Sequence, residues 1–302
     1  MATAETDWGF APRASRPRAL VSAVRRFVRS SPSGAASAAF LLFVLLVAIF
    51  ADLIAPFDPL EGHYDVTRTP PGADWLAGTD HLGRDVLSRL IFGARITMIV
   101  AVSSVVLGDS IGFAWGILSG YIGGRFDLIS QRVLDVLLSF PGIILALLLL
   151  VSLGSGLQTV IIAIAVTRVP GTTRLIRSVS LSVREFAYVE AARASGASPL
   201  RIMVRHVAPQ AIAPLLVIGT LNLGAAIFAE AALSFLGVGI PPPAPSWGNM
   251  LGGVLAEAFR PPWWMVMLPG VAITLTILAA NLFGDALRDF LDPTMKRQIE
   301  SA

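Results

Sequence analysis

The chain has 302 residues, 55% of them hydrophobic and 14% charged, with a formal net charge of +3. A water-soluble globular domain carries about 25% charged residues, so this composition excludes one and makes a lipid bilayer the natural solvent. No cysteine is present, which removes a disulfide frame, a thiolate metal site and a thiol nucleophile and leaves the redox compartment open.

From the amino terminus, Leu20, Val21, Val24, Phe27 and Val28 recur at helical spacing among arginines. That pattern suits an amphipathic helix in the headgroup layer, or equally a solvated basic tail. An apolar run from 34 to 56 carries no charge before Asp52 and is long enough to cross a hydrocarbon core of roughly 30 Å. Arginines before such a run also occur in signal peptides, but this one exceeds a signal core and further spans follow. A loop over 57–92 leads to apolar runs at 96–122, 133–153, 157–176, 209–228 and 263–283, making six spans. Gly154-Ser155-Gly156 suits a tight hairpin between the third and fourth, and Arg168 and Pro170 interrupt the fourth. In the loop over 237–262, Pro241, Pro242, Pro243 and Pro245 argue against regular helix.

Basic residues set the expected orientation. With the amino terminus inside, Arg13, Arg16, Arg18, Arg25, Arg26, Arg29, Arg125, Arg132, Arg174, Arg177, Arg184, Arg193, Arg201, Arg205, Arg288, Lys296 and Arg297 fall on the cytoplasmic side. Arg68, Arg84, Arg89, Arg95 and Arg260 fall outside or at that boundary. Both termini are therefore expected to be cytoplasmic.

Gly108, Gly112, Gly116 and Gly120 lie four residues apart on the second span, a ridge for close helix packing, with glycine hinges as the functional alternative. Between the fourth and fifth spans, Ser182 and Glu185 form a capping-box pattern, Gly196 suits a left-handed helix end, and Ser198-Pro199 suits the start of a second helix. Two short helices at an angle, with apolar Phe186, Tyr188, Val189, Ile202 and Met203, describe a docking site for a partner protein better than a solvated connector. Spans on both sides exclude a DNA-reading helix-turn-helix, and no nucleic-acid partner is expected.

Asp109, Asp135 and Glu230 are the acidic residues in or near spans. An ionisable group at mid-bilayer is costly, so Asp109 is expected to face other helices or water, while Asp135 and Glu230 are expected near span ends within reach of water. His63, His81 and His206 are too scattered for a shared metal centre, and the sequence places no nucleophilic triad. The only lysine, Lys296, lacks the glycine loop of a Walker motif. No metal, cofactor or ATP site, and no enzyme activity, is expected in this chain.

Glu190-Ala191-Ala192, Gly196 and Pro209 resemble the EAA loop of permease subunits in bacterial ATP-binding-cassette importers, although Val207-Ala208 precedes Pro209 where the family often has an aliphatic residue and leucine. Gly78-Thr79-Asp80-His81-Leu82-Gly83-Arg84-Asp85-Val86-Leu87-Ser88-Arg89, Ala232-Leu233-Ser234-Phe235-Leu236-Gly237 and Pro245-Ser246-Trp247-Gly248 resemble the C-type permease of dipeptide, oligopeptide and nickel importers. The resemblance implies an all-α membrane protein of six transmembrane helices with the type-I importer permease fold. It divides the chain into a cytoplasmic tail over 1–33, a first helix and outer loop over 34–93, the permease domain over 94–286 with its coupling loop at 182–208, and a tail over 287–302. It also implies a peptide importer subunit in a bacterial plasma membrane, with Glu190, Ala191, Ala192 and Gly196 coupling to ATPase subunits that bind ATP and Mg. The implied partners are a second permease, two ATPase subunits, an external binding protein, peptide and lipid. A nickel-chelate permease is the nearest alternative, and an ion-coupled secondary transporter using Asp109 or Glu230 is the alternative of another class.

Overall fold

A computed structural model describes residues 24–257 and 260–291, and every regular element in them is helical. Helix α1, Pro32–Ile49, opens on Ser31, whose side chain accepts from the Gly34 amide at 3.2 Å, with Pro32 in the first turn. A turn at Phe50 leads to the short α2, Ala51–Ile54. There follow α3, Val86–Ile122; α4, Gly124–Leu138; α5, Gly142–Leu153; and α6, Leu157–Val183. Next come α7, Ala187–Ala194, and α8, Pro199–Ile202, which passes through a π turn at Met203–Val207 into α9, Ala208–Phe235. The described chain ends with α10, Trp247–Glu257, and α11, Trp263–Leu291.

Five helical stretches, namely α1, α3, α6, α8 with α9, and α11, are each long and apolar enough to cross a bilayer, and the bent pair α4 and α5 makes a sixth pass. Contacts fix their directions. Arg95 near the start of α3 bonds Asp52 after α1, while Gly34 at the start of α1 meets Ala286 late in α11. Asn222 of α9 reaches Asp109 and Glu230 reaches Thr97, so α9 runs antiparallel to α3. Alternating passes bring the described chain back to the end it started from. That end collects Arg125, Arg132, Arg174, Arg177, Arg184, Arg193, Arg201 and Arg205 and is called the basic end below.

The most extensive helix contact joins α3 to α6, which run parallel. A Cβ placed at Gly108, Gly112, Gly116 or Gly120 would lie 2.6, 2.8, 2.7 or 2.6 Å from Ala165 O, Thr172 Cβ, Thr173 O or Ser180 Cβ. These distances are shorter than any side chain tolerates, so glycine brings the two backbones together. Dispersion between close backbones replaces the hydrophobic drive that is missing within lipid.

Several expectations change. The third span is not one helix over 133–153: α4 and α5 meet at 86° across Ser139-Phe140-Pro141, because Pro141 has no amide hydrogen to continue the ladder. The second span starts at Val86 rather than 96. Charge at Arg89 and Arg95 hides this in the sequence, but Asp80 pairs with Arg89 and Asp52 with Arg95. Pro170 leaves α6 continuous to Val183. The 237–262 segment is not irregular throughout, since its prolines end before Trp247 and α10 follows them, burying Trp247, Met250 and Val254. Of the proposed interfacial segment, residues 24–28 are helical, with Phe27 edge-on to Phe283 and Phe290. Arg13, Arg16, Arg18, Leu20, Val21, Lys296 and Arg297 lie outside the described residues.

Candidate coupling site and polar interior

At the basic end α6 continues past the capping-box pattern. Ser182 sits in its last turn and Glu185 in the turn that follows, so neither starts a helix; α7 opens at Ala187 after Phe186 with no side-chain cap. The physical reason is that Val183 is buried and Arg184 Nη1 donates to Gly120 O at 3.0 Å, which holds α6 against α3 for one more turn. Gly196 then takes φ of 78° and lies open, with nothing within 4 Å of an added Cβ. Ser198 accepts from the Arg201 amide at 3.4 Å, and Pro199 opens α8. Pro209 has no amide hydrogen for the usual helical bond, and the turn before it widens so that the Ala208 amide bonds Met203 O.

The apolar residues of this elbow divide into two sets. Val189, Ile202, Met203 and Val207 are buried with Ile117, Ile176, Val183 and Ala211 in one cluster rooted in α3, α6 and α9. Phe186, Tyr188, Leu200 and Val204 remain exposed. The exposed apolar set is therefore not the one expected from sequence, because Val189, Ile202 and Met203 serve the interior. Leu200 and Val204 were missed, and only their place beside buried Ile202 and Met203 on the same turns could have marked them. Glu190 and Ala191 are exposed beside Tyr188, while Ala192 packs against the buried cluster. Helix α4 is clamped to this end by Arg177, whose Nε and Nη2 both donate to Asp127 at 2.5 Å, and by an Arg174–Asp135 pair.

Two acidic groups lie inside the bundle. Asp109 Oδ1 accepts from Thr172 Oγ1 at 2.6 Å and from Asn222 Nδ2 at 2.8 Å, tying α3, α6 and α9 together away from lipid. Glu230 is not near water, contrary to its expected place at a span end. It is fully buried, accepting from Thr97 Oγ1 at 3.0 Å and Ser234 Oγ at 2.8 Å, because α9 continues to Phe235 and α10 covers it. Asp135 is exposed.

At the opposite end the 78–89 motif forms a compact cap. Gly78 has φ of 75° and a Cβ there would meet Trp264 Nε1 at 2.7 Å. Trp264 Nε1 donates to Thr79 O at 3.2 Å, and Trp247 Nε1 donates to Leu90 O at 2.9 Å above Gly93. Asp85 caps α3 by accepting from the Ser88 amide and hydroxyl. Nearby, hydrogen bonds from Arg95 hold the exposed Asp52 carboxyl below the usual carboxylate range.

This arrangement of spans has counterparts. The family model for the binding-protein-dependent transport system inner membrane component matches residues 112–297, and that for the N-terminal TM domain of oligopeptide transport permease C matches residues 20–71. The di/tripeptide transport system permease protein DppC of Pseudomonas aeruginosa (strain UCBPP-PA14) is 43% identical, covering 85% of this chain and 86% of the relative. The glutathione transport system permease protein GsiD of Pectobacterium atrosepticum is 40% identical, covering 90% of each. A chain of the MetNI methionine ABC transporter in inward facing conformations shares the fold, with a TM-score of 0.57 and 21% identity over 68% of this chain and 98% of that one. With its six passes and these matches, the chain is a multi-pass inner-membrane permease subunit, and it belongs to the binding-protein-dependent transport system inner membrane component family.

Proposed function

We propose that this chain is the C-type permease subunit of an ATP-driven importer of short peptides, forming half of the translocation path with a second, homologous permease. Relatives named for di/tripeptide and glutathione transport support peptide as the substrate class. Two ATPase subunits bind ATP and Mg, and an external binding protein delivers the peptide; the chain itself hydrolyses nothing. The basic end faces the cytoplasm with both termini, in keeping with the excess of arginine there. The tail over 1–33, the first helix and loop over 34–93, the permease domain over 94–286 and the tail over 287–302 are its functional parts.

One observation carries this reading. The α7–Gly196–α8 elbow presents Phe186, Tyr188, Glu190 and Leu200 outward while Val189, Ile202 and Val207 are embedded against α3, α6 and α9. A subunit gripping the outer set moves three spans through the inner set. If the grip differs between nucleotide states, ATP biases which way the path opens.

Glu190→Ala combined with Tyr188→Ala is expected to reduce the ATPase subunits recovered with the purified permease by about tenfold, as loss of about 1.4 kcal/mol of docking would do, with membrane insertion unchanged. Val189→Ala is expected instead to lower the melting temperature of the permease itself. Unchanged recovery and transport in the double variant would refute the coupling role. Gly196→Ala is expected to cost about 1 to 2 kcal/mol through its left-handed backbone alone, since the added methyl meets nothing within the chain. Thermal unfolding of the isolated chain checks that value, and a larger loss in the complex would place the ATPase against Gly196.

A further inference from the structure

We infer that Arg168 is a substrate contact inside the translocation path, a guanidinium that takes the carboxylate of a passing peptide. This rests on the peptide-importer reading and adds to it a site within the membrane.

Arg168 lies near the middle of α6, where a charged side chain is costly and by default functional. The protein does not satisfy it. Its Nε is buried without a hydrogen-bond partner, and Nη2 reaches Ala225 O only at 3.4 Å. Asp109 acts on it electrostatically, yet among the described residues no ion pair within 4.0 Å joins the two. Asp109 Oδ1 is committed to Thr172 and Asn222, and its Oδ2 is also without a partner. A structural salt bridge would have closed this gap.

Beside Arg168 a cavity of about 200 Å³ opens between α5, α6 and α9, lined also by Gly142, Ile143, Ala146, Thr167 and Ala229. Three of those residues are glycine or alanine, and a Cβ at Gly142 would meet only Thr167 Cβ, at 4.0 Å. The volume admits a carboxylate and its α-carbon. A guanidinium offers parallel donors that match both carboxylate oxygens, a chemistry every peptide with a free carboxyl end supplies. Asp109 balances the charge from a distance without occupying those donors.

The chain has no native cysteine, so Thr167→Cys or Ala229→Cys places one thiol of this subunit in the cavity lining. The complete importer in lipid nanodiscs is treated with an anionic sulfonatoethyl or a cationic trimethylammonioethyl methanethiosulfonate, and modification of this subunit is read by mass spectrometry. The anionic reagent is expected to react about tenfold faster, and Arg168→Gln should remove that preference. A tripeptide with a free carboxylate should protect the thiol, and its carboxyl-terminal amide should not. Labelling and protection with Arg168 intact need no Arg168 variant, so misfolding of Arg168→Gln leaves them decisive. Equal reagent rates, an unreactive thiol, or equal protection by both peptides would each overturn the inference. Absence of protection in a complex that imports the same tripeptide defeats this site and leaves the importer reading standing; a folded complex that imports no peptide defeats both.

Discussion

Replacing Gly112 with leucine is expected to abolish the folded permease, whereas Gly171→Leu in the isolated chain is expected to be nearly silent. At Gly112 the first added carbon already falls 2.8 Å from Thr172 Cβ and 3.1 Å from Val169 O, and the rest of leucine has nowhere to go. Neighbours cannot yield, because Gly108 and Gly116 hold the same helices against backbone atoms on either side. Overpacking by a methylene or two typically costs about 1 to 3 kcal/mol, and a whole isobutyl group wedged between two backbones belongs at or beyond the top of that range. Gly171, on α6 itself, has nothing within 4 Å, so leucine there adds only helix propensity. Thermal unfolding followed by size-exclusion chromatography compares the pair. A Gly112→Leu chain that melts like wild type would show that α3 and α6 do not pack through this ridge.

The second large effect is expected at the opposite end. Asp80 accepts from the Leu82 and Arg84 amides at 2.8 and 3.0 Å and from Arg84 Nε at 2.7 Å, and it lies 3.6 Å from Arg89 Nε. Arg84 and Arg89 are both buried. Asp80→Ala leaves two guanidinium groups enclosed without their counter-charge, and breaking a buried pair in this way costs about 3 to 5 kcal/mol. Asp80→Asn keeps the oxygen that accepts from the two amides but loses the charge and sets an NH2 donor where Oδ2 accepts from Arg84 Nε, so a melting temperature between those of the alanine variant and wild type is expected. Proteolysis of the 57–85 loop should rise in the same order. If alanine and asparagine variants melt alike, the ion pair rather than the turn bonds holds the cap, and an asparagine variant that melts like wild type would give that role to the turn bonds.

The spans were legible in the sequence because lipid imposes long uncharged runs, and the glycine spacing on α3 was legible because four residues only slightly exceed one helical turn. Errors arose where tertiary partners cancel a local signal. Arg89 and Arg95 broke the apolar run of α3, yet each has an acidic partner that only folding supplies. Ser182 and Glu185 imitated a helix start, but contact of Arg184 with Gly120 extended the preceding helix through them. Trp247 and Met250 looked like loop residues because prolines precede them, and their burial depends on the approach of α3 and α9 from distant sequence. The elbow was located correctly from Gly196 and Ser198-Pro199, whose geometry is local. Which of its apolar residues face outward was not legible, since that depends on how α7 settles onto Ile117 and Ile176. Arg168 read only as an interruption of a span; that its donors go unfilled is a property of the assembled bundle.

The glycine ridge clamps α3 over Gly108 to Gly120, leaving the stretch from Val86 to Leu107 as an arm of about 33 Å at 1.5 Å per residue. Such an arm amplifies motion. A tilt of about 10° at the clamp displaces its tip by about 6 Å, more than the spacing between adjacent β-strands. The cap built on Asp80, Trp247 and Trp264 sits at that tip and would be carried through the same distance.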